Sequence, residues 1–337
     1  MSERPKTIGW GIIGCGDVTE KKSGPGLQKA RNSRLVAVMR RTAERAEDYA
    51  RRHGVPRWYD DAQALVDDPE VDAVYVATPP SSHHEYTLLA ARAGKPVYVE
   101  KPMAMTFAEC EEMIAACTEA GVPLFVAFYR RAMEKFLKVR QILGEGAIGA
   151  PRLVRLTFSQ PPTPEEIAGD LPWRVIPEIS GGGRVVDLGS HVLDLLDFFL
   201  GPLTSVQGLA GNQGGYFQAE DTVAASFGFE TGVQGVASWC FVCPEWIDRT
   251  EIVGTKGTVA YSTFDADPVT LVAGERSEEF AIPFPPHVQQ PLIQTVVDAL
   301  NGEGECPSTG ESGARTSRVL DTCLLYTSDA ADDDTIV

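Results

Sequence analysis

An apolar run, Thr7–Ile13, breaks at once into Gly14-Cys15-Gly16-Asp17-Val18-Thr19. Few folds end a buried strand on two glycines one residue apart. The pattern is the G-x-G-x-x-small turn of a dinucleotide-binding α/β unit. Glycine there permits a tight turn and lets backbone N–H groups approach a pyrophosphate at the start of a helix. Gly9-Trp10-Gly11-Ile12-Ile13-Gly14 fits the same pattern letter for letter, but it lies inside the strand and cannot make the turn. Gly14, Gly16, Asp17 and Val18 are therefore the candidate pyrophosphate contacts, with Thr19 where glycine or alanine is usual. Lys21–Gly26 interrupts the helix that follows, which predicts a loop and a fresh helix from about Pro25.

The second strand, Leu35–Met39, runs into Arg40 and Arg41, with Arg45 one turn into the next helix and no carboxylate before Glu44. An NAD site usually places an acidic residue here to grip the ribose 2′-hydroxyl. Arginines suit a 2′-phosphate instead, by charge and by planar multi-donor geometry. The expectation is NADP(H) in preference to NAD(H). The alternative is that Arg40, Arg41 and Arg45 only solvate a helix that also carries Glu44, Glu47 and Asp48.

Strands and helices then alternate with short turns, which predicts a doubly wound parallel sheet. Val71–Ala77 is nearly all apolar, as a strand covered on both faces must be. It ends in Thr78-Pro79-Pro80-Ser81-Ser82-His83, where Ser82 is a candidate helix cap. Thr78, Pro79 and His83 lie at the carboxyl end of that strand, the side on which open α/β sheets bind ligands. They are candidate cofactor contacts, although histidines at a helix start also serve as capping and surface groups. Pro96–Val99 runs into Glu100-Lys101-Pro102. Lys101 is thus placed in the same crevice, where two domains would meet over a nicotinamide. The plainer alternative is a solvated strand end followed by a proline stop.

From Arg152 the texture becomes that of antiparallel strands with glycine-containing turns. The domains predicted are 1–128 for dinucleotide binding and 129–322 for an α+β unit with a large, mostly antiparallel open sheet. An atypical acidic tail, 323–337, has a helix start that breaks after Leu325 and no assigned function. Gly181-Gly182-Gly183-Arg184-Val185-Val186-Asp187 leads into Leu188-Gly189-Ser190-His191, a loop entering a helix. Asp187 and His191 are four apart and share a helical face. Such a pair can move a proton, can contribute two ligands to a metal, or can be ordinary helix polarity. No third ligand stands at suitable spacing, so no metal is expected.

The chain has 337 residues and a net charge of −17. That charge makes nucleic acid and anionic membrane poor partners. No apolar run approaches the roughly 20 residues that span a bilayer. Met1–Lys6 is polar and short, so no leader is expected and the cytoplasm is the expected location. Among seven cysteines only Cys240 and Cys243 form a C-x-x-C pair, with no histidine nearby. Zinc is not expected, and the cysteines are read as buried or idle thiols in a reducing compartment.

The glycine turn, Glu100-Lys101-Pro102 and the glycine-rich Asp187-x-x-x-His191, in this order and spacing, resemble the glucose–fructose oxidoreductase / inositol dehydrogenase / MocA family. Gly254-Thr255-Lys256-Gly257 and Pro307-Ser308-Thr309-Gly310-Glu311 resemble that family's second domain. The resemblance covers roughly Thr7–Leu320. It implies a Rossmann domain, a second domain with an open sheet, and a homodimer or homotetramer formed through that sheet. It implies that Lys101 lies between nicotinamide and substrate hydroxyl, that His191 is the acid/base or shares that role, and that Asp187 positions substrate or His191. Glu100 would order the nicotinamide end, while Tyr129, Arg130, Trp173 and Arg174 would line the substrate pocket. An aromatic face with arginine suits a polyhydroxylated ring, so the expected substrate is a sugar, anhydrosugar or inositol, oxidised or reduced at a secondary carbon. Two rivals follow from the same resemblance: a glycosidase that uses nicotinamide transiently, and a dinucleotide-binding sensor without catalysis.

Overall fold

The computed structural model describes residues 5–329, which form two compact units. The first comprises the chain up to Met133 together with Pro285–Ala314; the second comprises Glu134–Phe284 and the residues from Arg315 onward.

The first unit holds six strands: β1 Ile8–Ile13, β2 Ser33–Met39, β3 Arg57–Tyr59, β4 Ala73–Val76, β5 Val97–Val99 and β6 Leu124–Val126. All pair in parallel in the order β3-β2-β1-β4-β5-β6. Strand order reverses between β1 and β4, so the carboxyl ends of those two strands flank the crevice of a doubly wound sheet. β1, β4 and β5 are buried along their whole length, which is why they read as unbroken apolar runs. Helices Ala43–His53, His83–Arg92 and Phe107–Glu119 supply the crossovers. The interrupted first helix is present as Asp17–Lys21 followed by Gly24–Lys29. Thr106 caps its helix through Glu109 N–H as its position suggests. Ser82 does not: its hydroxyl donates to Pro79 O, 3.2 Å away, because a 3-10 turn over Pro80–Ser82 runs straight into the helix.

The chain returns to this unit at Pro285. Helix Gln290–Leu300 docks beside Gly24–Lys29, Arg31 N–H donates to Gln294 at 2.7 Å, and Ser308 Oγ donates to Val126 O at 2.7 Å.

The second unit holds eight strands: β7 Pro151–Ser159, β8 Leu203–Gly211, β9 Thr222–Phe229, β10 Gln234–Cys240, β11 Ile247–Gly254, β12 Thr258–Tyr261, β13 Val269–Ala273 and β14 Arg276–Phe280. Their order is β14-β13-β12-β11-β7-β10-β9-β8, antiparallel except for β7 with β10. One face alternates inward, as with Gly235, Ala237 and Trp239 of β10, and the other outward, as with Gln234, Val236 and Ser238. Val185 and Leu193 meet Val319, Leu320 and Cys323 of helix Gly310–Asp329 over the inward face, around a small apolar cavity. That last helix continues to Asp329 instead of breaking after Leu325; residues 330–337 of the acidic tail lie outside the described residues.

Candidate functional site

In the first unit the site begins where β1 ends. Gly14 has φ +91°, a backbone that L side chains rarely adopt, and donates to Met39 O at 2.9 Å. A Cβ here would stand 2.6 Å from Thr78 Cγ2 and 2.9 Å from Thr78 N. Gly16 is different: its backbone is extended, and the nearest atom to an added Cβ is Gly14 O at 3.9 Å. One glycine packs the turn against β4; the other leaves its outer side open for a ligand. Asp17 is exposed and Val18 half-buried on the short helix after it. Thr19 is buried, and its hydroxyl donates to Gly16 O at 2.7 Å, while Tyr49 Oη donates to Thr19 O at 3.0 Å. Burial pushes the Cys15 thiol within the turn up to about 11, so it remains a protonated packing group. Arg40 Nη1 donates to Cys15 O at 3.2 Å, which lays this arginine along the turn; Arg41 and Arg45 are exposed beyond it.

The ends of β4 and β5 form the other wall. Thr78 and Pro79 follow β4 and are half-buried. His83 is fully buried, with Nε2 2.8 Å from Thr78 O and Nδ1 3.0 Å from Pro102 O. It ties the turn after β4 to the turn after Lys101. Burial lowers its pKa while the two carbonyls act the other way, and its full burial makes it neither a surface group nor an exposed cap.

Glu100 is buried at the end of β5 and fully engaged. Its Oε1 accepts from Tyr75 Oη at 2.6 Å and from Gln289 Nε2 at 2.6 Å, and its Oε2 accepts from Lys101 N–H at 3.2 Å. Tyr98 Oη donates to Gln289 Oε1 at 3.1 Å. Burial, reinforced by the Glu100 charge, pushes both tyrosines well above the usual phenol value, keeping them as donors. Glu100 thus fixes the backbone that presents the half-buried Lys101. Neither Tyr75 nor Gln289 carries a motif that would single it out; Gln289 reaches the site only through the chain's return. Tyr129 and Arg130 lie in a 3-10 turn after β6, both buried, with Arg130 Nη1 donating to Tyr129 Oη at 2.9 Å and its guanidinium 4.9 Å from that ring.

In the second unit, Trp173 and Arg174 form a short 3-10 turn, with the guanidinium 4.6 Å from the indole. Arg174 Nε stands 3.7 Å from Asp187 Oδ2, so three of the sequence candidates meet. Asp187 does not begin a regular α-helix. It lies in a wide π turn, Val185–Gly189, that feeds helix Ser190–Leu200. Such turns are frequent at functional sites. His191, in the first turn of that helix, is 4% exposed with its ring 6.0 Å from Phe264.

Two carboxylates flank this loop. Glu166 is buried, accepts from Arg184 Nε at 2.8 Å and from Thr163 N–H at 2.8 Å, and closes a capping box visible in Thr163-Pro164-Glu165-Glu166. Glu220 Oε1 lies beside Gly182, and burial of this carboxyl pushes its pKa up. Among the described residues no cluster of three or more histidine, cysteine or acidic side chains could hold a metal ion, and no helix is long and apolar enough to cross a membrane.

The first unit fits a dinucleotide: a turn packed by one glycine and left open at another, an arginine laid along it, and a lysine fixed at a neighbouring strand end. Residues 8–128 match the model of an oxidoreductase family with an NAD-binding Rossmann fold, and residues 136–260 match the GFO/IDH/MocA C-terminal domain. The chain is 36% identical over 315 residues to an oxidoreductase of Formosa agariphila, covering 93% of this chain and 97% of the relative. It is 32% identical over 309 residues to the 1,5-anhydro-D-fructose reductase of Ensifer adhaerens, covering 90% and 91%. An aldose-aldose oxidoreductase from Caulobacter crescentus, solved with glycerol, superposes with a TM-score of 0.86 at 25% identity, covering 97% of this chain and 98% of that one. The two-part match and the near full-length relatives agree with the fold and the turn chemistry, and the chain belongs to the GFO/IDH/MocA family of NAD(P)-dependent oxidoreductases.

Proposed function

We propose that this enzyme is an NADP(H)-dependent oxidoreductase that acts on a secondary alcohol or ketone of a sugar, anhydrosugar or inositol in the cytoplasm. The observation that carries the reading is Lys101 at the carboxyl end of β5, its backbone fixed by Glu100 and the Tyr75–Gln289 network. A lysine held in this way is a positioned proton donor and acceptor rather than a solvated strand end. A bound nicotinamide supplies or takes the hydride. The protein's share is to hold the substrate and move a proton. Lys101 hydrogen-bonds the reacting oxygen and exchanges a proton with it, His191 shares that exchange, and Asp187 orients substrate, tethered by Arg174. Without such a group the departing hydride would leave an unsolvated alkoxide.

Gly14, Gly16, Asp17 and Val18 would hold the pyrophosphate, and Thr78, Pro79, His83 and Glu100 the nicotinamide end. Arg40, Arg41 and Arg45 would take the 2′-phosphate; the contact of Arg40 with Cys15 O supports this by placing a guanidinium beside the turn. Tyr129 with Arg130 and Trp173 with Arg174 offer aromatic faces edged by donors, which suits a polyhydroxylated ring. The activity in the name of the Ensifer relative makes an anhydroketose one such substrate. The outward face of the eight-stranded sheet, with Leu209 and Val236 exposed, is the surface through which a homodimer or homotetramer would form.

Fluorescence titration with NADPH and NADH, beside the double variant Arg40→Ala/Arg41→Ala, tests the cofactor assignment. Exposed charge-assisted contacts to a phosphate contribute about 1 kcal/mol each, so NADPH affinity should fall by roughly 10- to 100-fold in the variant while NADH binding is unchanged. Equal affinity of the wild-type protein for both cofactors would refute the 2′-phosphate site. Consumption of NADPH with anhydroketoses, ketoses and inososes, lost in Lys101→Met, tests the reaction.

A further inference from the structure

Cys240 closes β10, and Cys243 follows three residues later, after the chain bends at Phe241 and Val242. Both side chains are partly exposed, whereas the other five cysteines, Cys15, Cys110, Cys117, Cys306 and Cys323, are buried. The bend sets the two thiols beside each other. The Thr222 hydroxyl, on the neighbouring β9, stands 3.6 Å from Cys240 Sγ.

We infer that Cys240 and Cys243 form a reversible dithiol–disulfide site, oxidised by small-molecule disulfides such as glutathione disulfide. The spacing and the bend make the pair, and the surroundings set its order of reaction. Burial raises the Cys240 pKa, but the polar groups around its sulfur, Cys243, Val242 N–H and the Thr222 hydroxyl, outweigh it and hold that thiol below the usual value. Cys243, beside Cys240, is held above it. Cys240 is therefore the attacking sulfur and Cys243 the resolving one.

The Cys240 thiolate attacks one sulfur of glutathione disulfide, the S–S bond breaks, and one glutathione leaves as thiolate. Cys243, deprotonated, then attacks the Cys240 sulfur of the mixed disulfide and displaces the second glutathione. Two protein thiols are oxidised to one disulfide and one glutathione disulfide is reduced to two glutathiones, with the two protein protons passing to the released thiolates. The bridge closes a loop that carries Phe241 and leads to Trp246. Both rings pack on Phe158, at 5.7 and 5.3 Å, and Phe158 contacts Phe264, the ring beside His191. The exchange is independent of the reductase reaction, because it needs only these two thiols and the added disulfide.

The test is thiol counting on the full-length protein, incubated with glutathione disulfide, quenched in acid and unfolded before alkylation. Seven thiols should fall to five, with mass spectrometry placing the lost pair in a peptide that links Cys240 to Cys243. Dithiothreitol should restore all seven. In Cys243→Ser, which cannot resolve, Cys240 should accumulate as a stable mixed disulfide with glutathione. Seven thiols remaining in the wild-type protein would overturn the inference, as would a persistent mixed disulfide at Cys240 or a bridge to any buried cysteine.

Discussion

The two glycines of the β1 turn should separate under the same substitution. Gly14→Ala meets two penalties. At φ +91° an L residue is strained, at a cost of about 1–3 kcal/mol. The new Cβ would also lie 2.9 Å from Thr78 N and 3.0 Å from Ala77 C, both backbone atoms of a buried strand end that cannot swing aside. Displacing them costs about 1–3 kcal/mol more. The total, roughly 2–6 kcal/mol, corresponds to a fall in Tm of about 4–24 °C for a unit of roughly 160 residues. Gly16→Ala meets neither penalty, since its backbone is extended and its Cβ would enter open space. Its stability should stay within about 1 kcal/mol of the wild type, or rise slightly as the unfolded chain loses freedom. Its NADPH affinity should fall by roughly tenfold or more, because the methyl group occupies the approach a pyrophosphate needs. Thermal unfolding without cofactor, followed by far-UV circular dichroism, and fluorescence titration with NADPH measure the two effects. A Gly14→Ala protein as stable as the wild type would refute the packing argument. A Gly16→Ala protein that binds NADPH normally would remove that glycine from the cofactor site.

Two further substitutions probe the buried carboxylates. Gln289→Leu keeps the volume but strips Glu100 of one donor and leaves the Tyr98 hydroxyl buried without its acceptor, at a cost of about 2–4 kcal/mol. Turnover should fall with it as the Lys101 backbone loosens, and a variant with unchanged Tm and turnover would show the network to be idle. Glu220 is pushed above its ordinary value of 4.5 by burial, so the folded chain binds that proton more tightly than the unfolded chain. The resulting stabilisation is fully present below that ordinary value and is lost as pH rises through the folded pKa. Glu220→Gln cannot ionise, so its urea midpoint relative to wild type should climb as pH rises above the ordinary carboxyl value; parallel profiles would contradict the shift.

Features fixed by local chemistry are legible in the chain. Unbroken apolar runs mark β1, β4 and β5, glycine and proline mark their ends, and the parallel sheet follows from alternation alone. β8 escapes the same reading because it is an edge strand with no fully buried residue, and its Leu209 is 77% exposed. Its place is set by pairing with β9, which periodicity cannot reveal. Helix Glu134–Gly144 differs, since Phe136, Val139 and Ile142 carry its buried face openly at three-residue spacing. The π turn at Asp187 is hidden for another reason. Four residues to His191 look like one α-helical turn, and nothing in the residue types tells a wider turn from a regular one.

The candidate site divides along the same line. Lys101, Gly14 and Gly16 announce themselves because their chemistry demands a particular residue at a particular strand end. Gln289 does not, because a glutamine before a helix is ordinary in sequence. It is 0% exposed, with its amide spent between Tyr98 and Glu100. Only a chain that leaves the first unit at Met133 and returns at Pro285 brings it there. Thr19 makes the converse case. As a departure from the usual small residue it looks like a weakness in the turn, yet its hydroxyl closes on Gly16 O and its carbonyl is held by Tyr49. A residue that breaks a pattern can thus restore by hydrogen bonding what the pattern secures by size, and Thr19→Ala with Tyr49 intact should therefore lose turn order rather than gain it.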